Sequence, residues 1–118
     1  MNKPPLHQSF KYTFQGFFWL LRNERNFQIH IAGLLINLAL VTILPLQTLE
    51  IIAVIGVSFL VLITEALNTC IEKICDYIQP NFDSRIGIIK DIAGAAVLLS
   101  AILAVVVGLL VYWKYIFN

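Results

Sequence analysis

Three long apolar runs leave this chain very few ways to fold. They cover roughly Phe27 to Leu46, Leu49 to Ile63 and Ile92 to Trp113. A helix needs about 20 apolar residues to cross a bilayer, so the first and third qualify as they stand. The second qualifies once Glu65 to Thr69 are counted at its inner end. In lipid the backbone must satisfy its own N–H and C=O groups, which for isolated runs of this length means helix. With 59% hydrophobic and 13% charged residues among 118, the composition lies far from that of a soluble domain. The expected fold is all-α: one compact three-helix membrane unit over residues 1–118, with no room for a second domain.

Ahead of the first run, Phe10, Phe14, Phe17, Phe18 and Leu21 recur at i, i+4, i+7, i+8 and i+11, while Lys11, Gln15 and Arg22 fall elsewhere. This period predicts an amphipathic surface helix over 6–25, lying in the headgroup layer with Tyr12 and Trp19 as anchors. The segment lacks the short apolar core and small-residue cleavage site of a signal peptide, so it is read as mature structure. Membrane helices are expected at 27–46, 49–78 and 89–113. Pro45 ends the first, Leu46-Gln47-Thr48 is a tight turn, and Gln79 to Ser84 reads as a loop. Asn37, in mid-span, is expected to bond across helices, and His30 to be a hydrogen-bonded interfacial histidine. Ala96, Ser100, Ala104 and Gly108 recur every four residues and predict a ridge for close helix packing. Cys70 and Cys75 point about 140° apart on one helix, which excludes a bridge between them.

The second helix carries a feature that lipid does not favour. At about 100° per residue, with Glu65 as zero, Asn68 falls near −60°, Thr69 near +40°, Glu72 near −20° and Asp76 near +20°. Three acids, an amide and a hydroxyl share one narrow face. Like charges there repel one another and lose water, which is costly without a cation or a basic partner. Hard oxygen donors in this pattern suit Mg²⁺. Acids solvated in the headgroup region would be the plainer explanation.

Basic residues set the orientation. Lys3, Lys11, Arg22 and Arg25 precede the first span, and Lys73, Arg85 and Lys90 surround the second loop. The Pro45 turn has none, and the C-terminal end has Lys114 alone. By the positive-inside tendency the N-terminus is cytoplasmic and the C-terminus outside. Glu24, the acidic face and Lys90-Asp91 then meet at one cytoplasmic level, where the cell supplies ATP. Phosphoryl transfer is mostly positioning and charge neutralisation, and these residue types can supply both. No Walker A or glycine-rich kinase loop is present, so neither of those nucleotide cradles applies. A net charge of +1 without a basic stripe gives no nucleic-acid signature. A proton-linked carrier or a non-catalytic assembly subunit is the alternative reading, weakened by the odd span count and the lack of an internal repeat.

The stretch Glu65-Ala66-Leu67-Asn68-Thr69-Cys70-Ile71-Glu72-Lys73-Ile74-Cys75-Asp76 resembles the signature E-x-x-N-[ST]-A-I-E-x-x-x-D of the small prokaryotic diacylglycerol kinases, a family that includes undecaprenol kinases. Lys90-Asp91-Ile92-Ala93-Gly94-Ala95-Ala96-Val97 is similar to the family's K-D-x-x-x-A-A-V stretch. Glu24-Arg25-Asn26-Phe27 and the Ser9 to Gly16 opening extend the resemblance over nearly the whole chain. The resemblance implies a homotrimer in the inner membrane, with active sites shared between subunits and ATP as co-substrate. It makes Glu65 the catalytic base facing the lipid hydroxyl, and Glu24 and Glu72 the holders of Mg²⁺ on ATP. It places Asn68 beside base and phosphates, Asp76 on the nucleotide side, and Lys90 with Asp91 at the phosphates. Cys70 stands where the family usually has alanine, and Gln15 where some relatives have lysine. The Glu24 segment with His30, and the Ser9-Phe10-Lys11-Tyr12 opening, resemble the undecaprenol kinase branch more than the diacylglycerol-specific one.

Overall fold

The computed structural model describes residues 2–117. Four helices follow in order: α1 (Leu6–Asn23), α2 (Arg25–Ile43), α3 (Thr48–Ile78) and α4 (Ser84–Ile116). The last three are long and apolar enough to cross a membrane. α3 is the centre of the fold, packed against α2 on one side and α4 on the other, while α1 leans on α2. Only a thin core is buried, chiefly Phe27, Leu34 and Leu62, with Leu20, Leu21, Ile31 and Ala66 against it. Broad apolar faces, including Ile36, Phe59, Leu98 and Leu110, remain exposed, as lipid-facing surfaces must.

A single extended residue joins α1 to α2. Glu24 (φ −110°, ψ 109°) ends the first helix and starts the second. Its N–H bonds Leu20 O at 3.0 Å and its carbonyl accepts from Gln28 N at 3.1 Å. The Gln28 side chain turns back to Leu21 O at 2.8 Å, so carbonyls that the end of α1 would leave unpaired are taken up. Phe17 meets Phe27 edge to face, with ring centroids 5.7 Å apart, fixing the corner. The rest of the phenylalanine stripe on α1, Phe10, Phe14 and Phe18, is exposed.

The helix bounds depart from expectation where local chemistry overrides hydropathy. α2 begins at Arg25 because Glu24 already supplies the break, and it stops at Ile43 because Leu44 precedes proline and is extended. α3 opens with a capping box in which Gln47 N donates to Glu50 Oε1 at 2.9 Å. α4 starts at Ser84, not at 89, because Asp83 caps it: its Oδ1 accepts from Arg85 N at 2.9 Å. Lys90 and Asp91 therefore lie in the second turn of the helix rather than at its start.

The small-residue ridge is only partly used. Ser100 is buried against α3 and Ala104 half-buried, but Ala96 is exposed, and nothing lies within 4 Å of where a Cβ on Gly108 would stand. Steps of four residues drift by about 40° each on a helix of 3.6 residues per turn, so the four positions cannot stay on one face. The buried line on α4 runs instead through Ala93, Ser100 and Val111.

Polar side chains stitch the three long helices at three levels. Near the α2–α3 turn, Tyr115 donates to Glu50 Oε1 at 3.0 Å and Lys114 pairs with Glu50 Oε2 at 2.9 Å. In mid-span Asn37 donates to Ser58 Oγ at 2.9 Å and accepts from Tyr112 at 3.0 Å, as its position predicted. Towards the other end the Thr64 and Ser100 hydroxyls meet at 2.9 Å.

Candidate functional site

The acidic face of α3 is a gradient of burial. Glu65 is 3% exposed, Asn68 and Thr69 are buried, and Glu72 and Asp76 are exposed. Packing explains the gradient: α2 lies against α3 at Glu65, while Glu72 and Asp76 are exposed further along the helix. At 1.5 Å per residue, Glu65 lies about 26 Å along α3 from Thr48, Glu72 about 36 Å and Asp76 about 42 Å, against a hydrocarbon layer of about 30 Å. The face predicted from 100° spacing thus carries one buried acid and, further along the helix, two exposed ones.

Around Glu65 the neighbours come from other segments. His30 Nε2 on α2 stands 4.0 Å from Glu65 Oε2. Asn26, one turn earlier on α2, sits beside the same carboxylate, and Glu24 and Glu72 both lie within electrostatic range of it. The α1–α2 corner brings Glu24 there: the extended residue that separates the two helices is held half-buried at the site. On α3, Asn68 Nδ2 donates to Glu72 Oε1 at 3.3 Å, while Asn68 Oδ1 is buried with no partner among the described residues.

Further out, Asp76 is ion-paired with Lys90 of α4, linking the two helices below the buried acid. Asp91 is exposed and makes no side-chain hydrogen bond or ion pair among the described residues. The tight link between Asp76 and Lys90 lifts the Lys90 ammonium out of the set of free cations. Lys73, the lysine of the acidic helix, lies over the Trp19 ring at 4.5 Å and ties α3 to α1. A cavity of about 160 Å³ opens beside the pair, lined by Asp76, Gln79, Phe82, Asp83, Gly87 and Lys90. At its rim the Asp83 carboxyl is held below the usual carboxylate range, first by the Arg85 side chain and then by the Arg85 backbone N–H.

The donor set fits a hard cation that arrives with its own ligands. Glu24 and Glu72, carboxylates from different segments, both lie within electrostatic range of Glu65, and the orphaned Asn68 oxygen adds a neutral acceptor. Among the described residues no three His, Cys, Asp or Glu side chains gather as a metal-binding group. Mg²⁺ is commonly held by one or two carboxylates with phosphates and water completing its octahedron, and Glu24 and Glu72 are the residues that could hold it here.

Sequence spacing missed the α2 half of this site. Asn26, His30 and Asn37 fall within about 40° of one another on a helix, a polar stripe on α2 that the helical period makes legible. The expectation for His30 is a hydrogen-bonded interfacial histidine; the structure sets its Nε2 4.0 Å from the buried acid, outside hydrogen-bond range.

A family profile described as prokaryotic diacylglycerol kinase matches residues 11–112. A diacylglycerol kinase of Synechocystis is 35% identical over 106 residues, covering 89% of this chain and 61% of that protein. The chain thus spans somewhat less than two thirds of that relative. The undecaprenol kinase of Bacillus subtilis is 33% identical over 108 residues, covering 89% of this chain and 85% of that protein. The diacylglycerol kinase of Escherichia coli K12 is 28% identical over 104 residues, covering 88% of this chain and 85% of that protein.

Proposed function

The chain belongs to the prokaryotic diacylglycerol kinase family, and from that premise we propose that it is an integral-membrane lipid kinase. It transfers the γ-phosphate of ATP to the hydroxyl of undecaprenol or diacylglycerol, giving undecaprenyl phosphate or phosphatidic acid. The observation that carries the reading is the buried Glu65, aligned on one helix face with Asn68 and Glu72 at successively shallower depth. A lipid hydroxyl sits at the edge of the hydrocarbon with its tail in the bilayer, and a nucleotide comes from water. A site for both must grade from apolar to wet over one or two helical turns.

Glu65 is the base that takes the hydroxyl proton, and a carboxylate kept from water is suited to that task. Asn68 lies one turn away, and its unpaired oxygen accepts a hydrogen bond from the incoming hydroxyl or from ordered water. Glu72 and Glu24 would hold Mg²⁺, which when bound would neutralise charge on the phosphates. Lys90 and Asp91 meet the phosphates from α4, with Asp76 positioning Lys90 in the ligand-free protein. The protein works in the inner membrane as a homotrimer, with its N-terminus cytoplasmic and its C-terminus outside, and neighbouring subunits complete each site.

The test is transfer of label from γ-labelled ATP to lipid by the purified protein, with undecaprenol, diacylglycerol and ceramide offered separately, with and without Mg²⁺. Mg²⁺-dependent labelling of undecaprenol or diacylglycerol is expected, and Glu65→Gln should lower it by about 100-fold or more, the usual weight of a general base. No labelled lipid, or an unchanged rate in both Glu65→Gln and Glu72→Gln, would overturn the reading and favour a non-catalytic or proton-linked role for the acidic face.

A further inference from the structure

We propose that His30 is a positioning residue that holds the Glu65 carboxylate in the orientation needed to receive the proton of the acceptor hydroxyl. The inference rests on the reading of Glu65 as base. In the step concerned, the hydroxyl oxygen bonds to the γ-phosphorus as the bond to the ADP oxygen breaks, and the hydroxyl proton passes to Glu65. His30 neither gains nor loses a proton; it fixes which Glu65 oxygen is offered.

The argument begins with what surrounds a carboxylate that is 3% exposed. A buried carboxylate needs a donor or a counter-charge. Its neighbours Glu72 on α3 and Glu24 at the α1–α2 corner are of its own sign. The cations on the nearby elements are engaged or turned away: Lys73 lies over Trp19, Lys90 pairs with Asp76, and Arg22 and Arg25 are exposed. α4 offers the Ser100 hydroxyl at this level, and that is bonded to Thr64 and Val97 O. The side chains left to hold Glu65 are His30 and Asn26, one turn apart on the same side of α2.

His30 Nε2 stands 4.0 Å from Oε2, beyond hydrogen-bond range by about 1 Å. Catalytic hydrogen bonds are commonly long in ligand-free sites and tighten around substrate. His30 also lines a groove of about 240 Å³ with Gly33, Asn37, Ser58, Val61 and Ala104. Its ring thus has a competing role as filler, which a test must separate from its role as donor.

Two variants in the intact protein, in detergent or lipid nanodiscs, make the separation. His30→Phe keeps the ring volume and loses the donor; His30→Gln keeps an N–H donor at the same reach. His30→Leu takes the place of the phenylalanine if that variant does not fold. The expected result is a kcat lowered about 10- to 100-fold in the apolar variant, the scale of a misplaced catalytic group, with the ATP KM unchanged and most of the rate restored in His30→Gln. A second readout needs no turnover. Dicyclohexylcarbodiimide should label Glu65, identified by peptide mapping, faster in the apolar variant than in the wild type or His30→Gln.

An apolar variant as active as the wild type, or a glutamine variant as impaired as the apolar one, overturns the proposal. The two readings fail separately. If the wild type phosphorylates no lipid, the kinase reading falls while the labelling comparison still reports on the pair. If the wild type is active and labelling is equal in all variants, the His30 role falls and the kinase stands.

Discussion

The Asn68 amide donates to Glu72 Oε1 at 3.3 Å and leaves its own Oδ1 buried without a partner among the described residues. One side chain thus fixes an acid that faces water and presents an unpaired acceptor beside the acid that does not. An orphaned buried acceptor costs about 1–3 kcal/mol, a cost that makes sense at a place where a donor arrives with substrate.

Asn68→Leu is therefore expected to separate stability from activity. It removes the orphan, and the exposed Glu72 replaces its lost bond with water, so thermal stability in detergent should hold or rise by about 1 kcal/mol. Lipid phosphorylation should fall at least tenfold. Melting and turnover measured on one preparation check both; a variant less stable by several kcal/mol would show that Asn68 is needed for the fold.

Lys90 and Asp76 form a link that is exposed on the aspartate side, and exposed pairs contribute little to folding. Lys90→Met should leave the melting temperature nearly unchanged and raise the KM for ATP about tenfold or more, as a lost contact to phosphate would. Steady-state kinetics over a range of ATP concentrations decide the matter.

The mid-span network centred on Asn37 has the opposite character. Asn37 bonds both Ser58 and Tyr112 within the bilayer region. Interhelical hydrogen bonds in membranes contribute about 0.6 kcal/mol each and at most about 1.7, so Tyr112→Phe should cost little and Asn37→Leu roughly twice as much. Turnover per folded molecule should survive both. Unfolding in mixed micelles of increasing denaturing detergent provides the comparison.

Asp83 gives a pH dependence with a definite sign. The Arg85 side chain, and then its backbone N–H, hold this carboxyl below its ordinary value, so its contribution to the start of α4 is complete above about pH 4, near the unfolded value. It is lost as pH falls further, through the folded value. The protection of the amides at residues 85–87, with rates corrected for the intrinsic pH dependence of exchange, should therefore fall below pH about 4 in the wild type. In Asp83→Asn, which keeps a capping oxygen without titrating, exchange should show no such step.

The sequence by itself determined the membrane helices, the amphipathic opening and the shared face of Glu65, Asn68, Glu72 and Asp76. Those follow from local rules: apolar run length against bilayer thickness, and the 3.6-residue period of one helix. It also placed the Asn37 bond, because a lone amide in lipid has few alternatives. Only the tertiary structure decided that Glu65 is buried while Glu72 is not, that His30 and Asn26 face it from α2, and that Asp76 takes Lys90. Each of these depends on how α2 and α4 lean on α3, and that packing is set by contacts between residues far apart in the chain. The bounds of α4 and the drift of its small-residue ridge had a different cause: a capping carboxylate at Asp83 and a 40° drift per four residues, local effects that hydropathy does not weigh.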